Sequence, residues 1–353
     1  MNEIEIEKKI LELRNELKTD RLDMSFGEIM NLYEDGDLII TPEYQRAYRW
    51  KHYQKTRFIE SILLGIPIPP IFVAEDEEGK WELVDGLQRI STIFTFFGML
   101  KNDNNDKNNF ALTKTDLLGN VLENITIGNL STKLKLTIKR AVCRVEILRW
   151  DSKLDMRYEL FNRLNTGATP LKPQEIRNCI FIGDLNNSIQ KLALNEQFIN
   201  LVNPTDNQKD EMFLEELVLR HFAFKSKYNN LIIEKSIQDF LSNYMKEVNE
   251  KRVLINLIDY EKDFIKIINY LTQNFDYKIF RAKNGLLTPN IFDTIMYVTD
   301  KYFNIYNADI NKFKENLKIL NEDVAYKEAS GSSTYASKRM QLKISRAEEI
   351  FND

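Results

Sequence analysis

The spacing of apolar residues changes near the middle of the chain. In the first half, short apolar runs separated by turn residues predict a mixture of strands and helices. Residues 71–74 and 80–84 are predicted to form a β-hairpin around the acidic turn Glu75 to Gly79. Beyond about residue 180 the apolar residues recur every three or four positions, which is typical of helices with one buried face.

Further elements are predicted on both sides of the hairpin. The predicted helices of the first half include residues 3–18 and 26–33 and a helix with Ile59, Ile62 and Leu63 on one face, and the predicted strands include residues 38–41 and 141–148. In the second half, apolar stripes that begin at Ile237, Ile291 and Ile310 are predicted to lie in a helical core. A last helix is predicted to expose Lys338, Arg339, Lys343 and Arg346. We therefore predict an α+β protein, with a mixed α/β domain over residues 1–180 and a mostly α-helical domain over residues 181–353.

A polar segment, Asp85 to Thr92, follows the hairpin directly. Asp85 and Gly86 predict a sharp turn, and the apolar residues from Ile90 onward have helical spacing. The first turn of a helix has unpaired N–H groups and the positive end of the helix dipole, so it can hold an anion such as a phosphate. Arg89 adds a planar guanidinium suited to phosphate oxygens. Taken alone, the segment fits an ordinary turn and a surface arginine better.

Composition excludes several classes of protein. The chain has 353 residues, a net charge of −4, two cysteines and two histidines. Two cysteines are too few for a disulfide framework or a cysteine zinc site, and a reducing cytoplasm is the expected location. No apolar run is long enough to cross a membrane, and the acidic N-terminus is unlike a secretory signal. Binding of nucleic acid would require a local basic patch.

Three motifs together resemble those of a known family. They are P-E-Y-Q-R-A-Y-R-W at Pro42 to Trp50, L-V-D-G-L-Q-R-I-S-T at Leu83 to Thr92 and F-N-R-L-N-T-G-A-T-P-L at Phe161 to Leu171. In this order they resemble the N-terminal domain of GmrSD-type, modification-dependent restriction endonucleases over residues 20–180. Two residues depart from the family pattern. Leu87 replaces the first Gln of the D-G-Q-Q-R box, and Ala47 replaces a common Pro.

The resemblance implies a ParB/sulfiredoxin-like fold for the first domain and a box that binds nucleotide phosphates. It also implies NTP hydrolysis coupled to DNA restriction in defence against phage. Many members carry a C-terminal His-Asn-His nuclease domain, which requires a histidine base and metal ligands close together. After residue 180 this chain offers only His221, so we expect DNA cleavage to come from a partner chain or from the first domain.

The residue pattern and the resemblance together predict one site. The predicted catalytic residues are Asp85, Gln88 and Arg89, and the predicted phosphate-binding residues are Tyr44, Gln45, Arg46, Gly86, Ser91, Thr92, Asn165 and Thr166. In this hypothesis the two arginines hold phosphates, Gly86 lets the backbone approach closely, and Gln88 orients a water or a phosphate oxygen. Asp85 has two roles that stay open: holding Mg²⁺, directly or through water, or fixing Arg89. Trp50 is predicted to lie in the core.

Three functions of different classes remain open. The first is an NTP-hydrolysing sensor or regulatory subunit of a DNA-restriction system. The second is a ParB-like, metal-dependent DNA nuclease that acts through the same box. The third is a non-catalytic module that binds nucleotide or DNA and recruits a partner. The scarcity of histidine weighs against the nuclease, whereas Leu87 favours the third function.

Overall fold

The computed structural model describes residues 3–40, 48, 50–101, 108–152, 154–164, 172–227, 236–282, 284–329 and 336–352. The chain divides into two compact units, Met1–Leu171 and Lys172–Asp353. The first unit contains a five-stranded mixed sheet with helices, and the described part of the second unit is built from helices. The predicted α+β class is therefore confirmed. None of the described helices combines the length and the hydropathy that crossing a membrane requires.

The strands of the first unit are β1 (Thr19–Ser25), β2 (Leu38–Ile39), β3 (Ile71–Glu75), β4 (Trp81–Asp85) and β5 (Val142–Leu148). Their order in the sheet is β1-β5-β3-β4-β2. The pairs β1/β5 and β3/β4 are antiparallel, and the pairs β3/β5 and β2/β4 are parallel. The C-terminal ends of β4 and β2 and the N-terminal end of β3 therefore lie side by side, at one end of the strands.

Helices α1 (Glu3–Glu16), α2 (Phe26–Asp35), α3 (His52–Leu63), α4 (Leu87–Phe97), α5 (Thr132–Arg140) and α6 (Leu154–Leu164) complete the described first unit. Aromatic side chains join the central helices. Phe26 of α2 meets Phe58 of α3 edge to face at 6.3 Å between ring centroids, and Tyr33 stacks on Phe94 of α4 at 4.3 Å. The second contact holds α4 against α2. The antiparallel pairing of β3 and β4 confirms the predicted hairpin, and α4 follows it directly.

The described helices of the second unit are α7 (Pro173–Ile180), α8 (Asp184–Ala193), α9 (Glu196–Val202), α10 (Asp206–Asp210), α11 (Phe213–Ser226), α12 (Ile237–Asn249), α13 (Leu257–Asn274), α14 (Pro289–Lys301), α15 (Phe303–Ala308), α16 (Ile310–Glu322), α17 (Val324–Glu328) and α18 (Ala336–Asn352), with a 3₁₀ turn at Tyr277–Phe280. The three predicted stripes lie on α12, α14 and α16. Each contributes buried residues, among them Leu241, Ile295 and Leu317. Their assignment to the core is confirmed.

Charged side chains are also buried in this unit. Arg220 of α11 donates from Nε to Asp293 Oδ1 of α14 at 2.8 Å, and its Nη1 lies 3.2 Å from Glu216 Oε1. Arg177 of α7, which is fully buried, donates to Glu216 Oε2 at 3.2 Å. The prediction that Lys343 is exposed is wrong. Lys343 is buried on α18 with its ammonium 4.9 Å from the ring centroid of Tyr326, because the side of α18 that carries it packs into the unit.

Candidate functional site

Gly86 forms the turn between β4 and α4 in a backbone conformation that favours glycine. Its φ is +101°, in the left-handed region. A Cβ atom added at this position would lie 2.5 Å from Cγ2 of Ile71, the first residue of β3. Such a distance is far inside van der Waals contact. The strand, the turn and the helix can meet this closely only because residue 86 has no side chain.

The N-terminus of α4 has no side-chain cap. The first backbone bond of the helix runs from the Ile90 N–H to the Gly86 carbonyl at 2.9 Å, so the N–H groups of residues 87–89 precede the helical ladder. Leu87, which replaces the family's Gln, is 6% exposed and belongs to the core. The N–H groups of the first turn and the helix dipole are the two features that attract an anion to a helix N-terminus.

Arg89 lies beside this helix end and is held by two acceptors. Its Nη2 donates to Asp85 Oδ2 at 2.7 Å and to the carbonyl oxygen of Pro70 at 3.0 Å. The Arg89 side chain is 17% exposed and that of Asp85 is 48% exposed. The Nε atom of Arg89 is buried and finds no acceptor among the described residues. The geometry therefore supports the role of Asp85 in fixing Arg89, and it leaves a buried donor of the guanidinium without a described partner.

The sequence did not mark Pro70 as part of the site. Its carbonyl is available because Pro70 ends the extended run Ile66 to Pro70, immediately before β3. Proline has no N–H and disfavours a helix before it, so this run stays extended. The proline-rich run was therefore the one signal in the sequence for a backbone carbonyl that is open to a side-chain donor just before β3.

Gln88 connects α4 to the end of the first motif. Its Oε1 accepts a hydrogen bond from the backbone N–H of Trp50 at 2.9 Å. Tyr48 is anchored to the same helix, because its hydroxyl lies 3.2 Å from Thr92 Oγ1 and 3.1 Å from Thr95 Oγ1. The ring of Trp50 packs edge to face on Phe58 at 5.7 Å, but it is only half-buried, so Trp50 lies at the margin of the core where it was predicted to lie. Gln88 and Thr92 thus fix the C-terminal flank of the first motif.

Ser91 and Thr92 are completely buried on α4. The Thr92 hydroxyl donates to the Gln88 carbonyl at 2.6 Å, one turn earlier in the helix. Ser91 Oγ has no hydrogen-bond partner among the described residues. Both hydroxyls therefore lie inside the unit, and their contact with phosphate stays a prediction.

Five predicted site residues, Tyr44, Gln45, Arg46, Asn165 and Thr166, lie outside the described residues. The described elements next to them, β2 and α6, lie close to the C-terminal end of β4. The first motif follows β2, which runs parallel to β4 and ends beside it. The third motif continues from α6, whose Leu160 and Phe161 line a cavity of about 200 Å³ together with Phe72 and Val84. Val84 is the residue before Asp85.

A metal ion would find few protein ligands at this position. Within the described ranges no group of three or more His, Cys, Asp or Glu side chains is arranged to hold a metal. Asp85 offers a single carboxylate that already accepts from Arg89. Mg²⁺ is commonly bound by one or two carboxylates together with phosphate oxygens of the substrate. The described residues therefore fit Mg²⁺ only when a phosphate ligand completes its coordination.

His221 lies on α11 and is buried in the second unit. Burial lowers the pKa of His221 to about 4, with Asp300 opposing this shift and Lys225 adding to it. Its Nε2 is 3.8 Å from Asp300 Oδ2, too far for a hydrogen bond. The imidazole is therefore neutral at pH 7 and has no access to a substrate in this structure. His221 is therefore a packed residue of the second unit.

Replacing His221 with glutamine is expected to reduce the acid sensitivity of the protein. In the unfolded chain a histidine titrates near 6.5, whereas His221 in the fold titrates at about 4. Between these values the unfolded state binds the proton and the folded state does not, so stability falls as pH falls. The wild type should lose about 2 kcal/mol through this group between pH 7 and pH 5. Urea unfolding at both pH values measures the difference, and equal losses in the two proteins would contradict it.

A helix N-terminus without a side-chain cap, beside a half-buried arginine and at the end of a mixed sheet, is the type of site that binds anions. Residues 26–182 match the family model described as "GmrSD restriction endonuclease, N-terminal domain". The chain therefore carries a domain of this family, and the resemblance drawn from the three motifs is confirmed. No curated protein and no solved structure matches the chain.

Proposed function

We propose that the box at Asp85 to Thr92 binds the phosphates of a nucleoside triphosphate, and that the protein hydrolyses this nucleotide as the sensor or regulatory subunit of a DNA-restriction system. The observation that carries the proposal is the uncapped end of α4 with the Arg89 guanidinium beside it. Phosphoryl transfer depends mainly on positioned positive charge and needs little covalent chemistry from the protein. The family match supports a role in restriction, because the family is named for a restriction endonuclease.

Each residue of the box has a separate task in this proposal. Gly86 lets the turn pack against Ile71, and this packing sets the position of the first helical turn, whose N–H groups would meet a phosphate. Arg89 places a permanent positive charge beside those groups, and Asp85 holds it in position. Arg46, with Tyr44, Gln45, Asn165 and Thr166, completes the phosphate site. Mg²⁺ in contact with Asp85 would neutralise part of the phosphate charge when it is bound with the nucleotide.

Gln88 has a positioning task rather than a direct one. Its side-chain Oε1 accepts from the backbone N–H of Trp50, so the side chain ties the first motif to α4. This holds Trp50, which follows Arg46 by four residues in the sequence, against the first turn of α4. The family resemblance implies a ParB/sulfiredoxin-like fold for the first unit, and the mixed sheet with the box at a strand-to-helix junction supports this proposal.

DNA cleavage is assigned to a nuclease partner chain. The two histidines of the sequence do not lie together in a cluster of metal ligands in the described structure, and His221 is buried. The location proposed for the complex is the cytoplasm, where the free and buried thiols of Cys143 and Cys179 stay reduced.

A second candidate is a module that binds nucleotide without consuming it. Leu87 favours this candidate, because the residue that replaces the family's Gln is apolar and buried and so contributes no polar contact to the phosphates or to an attacking water. The engagement of the Gln88 oxygen by Trp50 favours it as well. The two candidates predict the same binding site and differ only in turnover.

Phosphate release separates these candidates. We expect the wild type with Mg²⁺ to release phosphate from at least one of the four common NTPs, in the presence or absence of DNA. Arg89→Ala should weaken nucleotide binding by about tenfold to a hundredfold, the effect of losing charged hydrogen bonds of about 1.5–3 kcal/mol. The matched control is Arg14→Ala on the exposed face of α1, which should behave as the wild type.

Binding without release would select the non-catalytic module. Neither binding nor release by the wild type would refute the proposed site. An Arg14→Ala protein as impaired as Arg89→Ala would show that the loss comes from a general change in charge or folding.

A further inference from the structure

Helix α5 carries a concentration of positive charge that the nucleotide site does not use. Its nine residues, Thr132–Arg140, include Lys133, Lys135, Lys139 and Arg140 and no acidic residue. The chain as a whole has a net charge of −4, so this excess is local. Ile138 is the buried residue of the helix. Nearly half of the helix is therefore cationic, and it displays its charges at the surface.

The cations lie around the outward side of α5. At 100° per residue, Lys133, Lys139 and Arg140 fall on the half of the helix that faces away from Ile138, and Lys135 falls at its flank. The burial pattern agrees, because the first three are exposed and Lys135 is half-buried. Leu136 lies among them and is 38% exposed. The ammonium of Lys139 is 5.6 Å from the ring centroid of Phe97, at the end of α4.

Stability of the helix does not account for this charge. None of the four cations forms an ion pair with a carboxylate in the described part of the chain. Lys139 and Arg140 lie in the last turn, where the helix dipole favours them. Lys133 and Lys135 lie near the N-terminus, where the dipole opposes them. Lys135 Nζ donates to the carbonyl oxygen of Gly128 at 3.5 Å, but no described carboxylate neutralises Lys133 or Lys135, so a negatively charged partner is the simplest reason for these two charges.

The cationic helix ends at the edge of the sheet that carries the box. Arg140 stands three residues before Cys143, a span of about 10 Å of extended chain. The Cys143 sulfur lies 4.0 Å from the carbonyl oxygen of Pro69, and the next carbonyl, that of Pro70, accepts from Arg89. A partner bound along α5 would therefore reach the neighbourhood of the nucleotide site.

We propose that α5 is a docking surface for the phosphate backbone of duplex DNA. Duplex DNA presents one negative charge per about 1.7 Å of its axis, so a helix about 13 Å long can meet several phosphates. Lysine and arginine side chains on a helix bind this backbone without reading its sequence. An anionic membrane surface is a poorer match, because a membrane-binding helix exposes one continuous apolar face. The exposed leucines of α5, Leu134 and Leu136, lie on opposite sides of the helix, and Ile138 is buried against its own unit.

Salt-dependent binding of the full chain to a 20-base-pair duplex tests this surface. Each phosphate contact contributes about −0.9 to the slope of log Kobs against log salt concentration. The variant that carries Lys133→Gln, Lys135→Gln, Lys139→Gln and Arg140→Gln should flatten the wild-type slope by about 3 to 4. Its affinity at 100 mM salt should fall at least tenfold. The double variant Lys133→Gln with Arg140→Gln should show about half of this change in slope.

The matched control removes the same charge elsewhere. Lys262, Lys278, Lys314 and Lys318 are exposed lysines of the second unit, and their replacement by glutamine should leave DNA binding within twofold of the wild type. An equal loss in this control, an unchanged slope in the α5 variants, or no binding of DNA by the wild type would each overturn the proposal. So would binding of phosphatidylserine vesicles in place of DNA. The α5 variants should keep the nucleotide response of the wild type, which separates this test from that of the box.

Discussion

Replacing Asp293 with alanine is expected to lower the free energy of unfolding of the second unit by about 3–5 kcal/mol. Asp293 is buried and accepts hydrogen bonds from both Nε and Nη2 of Arg220. Without it, Glu216 is the remaining carboxylate that the structure shows bonded to Arg220 and Arg177. Burial already lowers the pKa of Lys343, and Asp293 opposes that shift, so the substitution also disfavours a charged Lys343. Urea denaturation of the full chain measures the loss.

A paired substitution shows whether the loss comes from the stranded charge. Arg220→Met combined with Asp293→Leu removes both partners and fills the space with apolar atoms. Replacement of a buried ion pair by packed apolar side chains is often neutral or stabilising. We therefore expect the double variant to be more stable than Asp293→Ala alone. A double variant no more stable than the single one would show that the ion pair contributes more than it costs to bury.

Gly86→Ala is expected to destabilise the first unit by about 3 kcal/mol and to abolish its response to nucleotide. Part of the loss is the left-handed backbone conformation, which costs a residue with a side chain about 1–2 kcal/mol. The rest comes from the overlap with Ile71, whose Cγ2 would lie 2.5 Å from the new methyl group. Relief of that overlap would move α4 away from the end of β4 and disturb the position of Arg89.

Gly36→Ala is the control for this substitution. Gly36 also has a left-handed conformation, with φ +84°, but an added Cβ there would meet nothing within 4 Å. It should lose only the conformational part of the energy, about 1–2 kcal/mol, and keep the nucleotide response. Equal losses at the two glycines, measured by thermal and urea unfolding, would mean that the close contact with Ile71 is unimportant.

The hairpin and the helix after it were predictable because their signals are local. The apolar alternation around the acidic turn gave β3 and β4, and the helical spacing from Ile90 onward gave α4. The helix begins three residues earlier than Ile90, at Leu87. The family pattern has a polar residue at this position, so its burial follows only from the packed structure. The strand-to-helix junction was thus predictable, and the environment of residue 87 was not.

Strand β1 was not predicted, because its sequence lacks the apolar alternation of a half-buried strand. Thr19–Ser25 is largely exposed and contains three charged residues. It is held by its antiparallel pairing with β5 and by two cross-strand ion pairs. Arg21 Nε lies 2.8 Å from Glu146 Oε2, and Arg144 Nε lies 2.9 Å from Asp23 Oδ1. The partners lie more than 100 residues away in the sequence, where no local pattern can show them.

The buried charges of the second unit were hidden for the same reason. Arg177, Glu216, Arg220 and Asp293 belong to three helices, and each alone fits a solvated position on its helix. Lys343 was predicted to be exposed because basic residues dominate its stretch of sequence. Only the packing of α18 shows that its side chain points into the unit. Burial of a charged residue depends on partners that are far away in the sequence, so the sequence predicts the burial of polar residues less well than that of apolar ones.

The central claim is that Arg89 and the first turn of α4 bind nucleotide phosphates. Its most direct measurement is a calorimetric titration of the full chain with Mg²⁺ and a triphosphate analogue that cannot be hydrolysed. We predict saturable binding to the wild type, with Arg89→Ala weakened by about tenfold or more and Arg14→Ala unchanged. Equal binding by the wild type and Arg89→Ala would contradict the claim, as would the absence of binding to the wild type for every nucleotide tested.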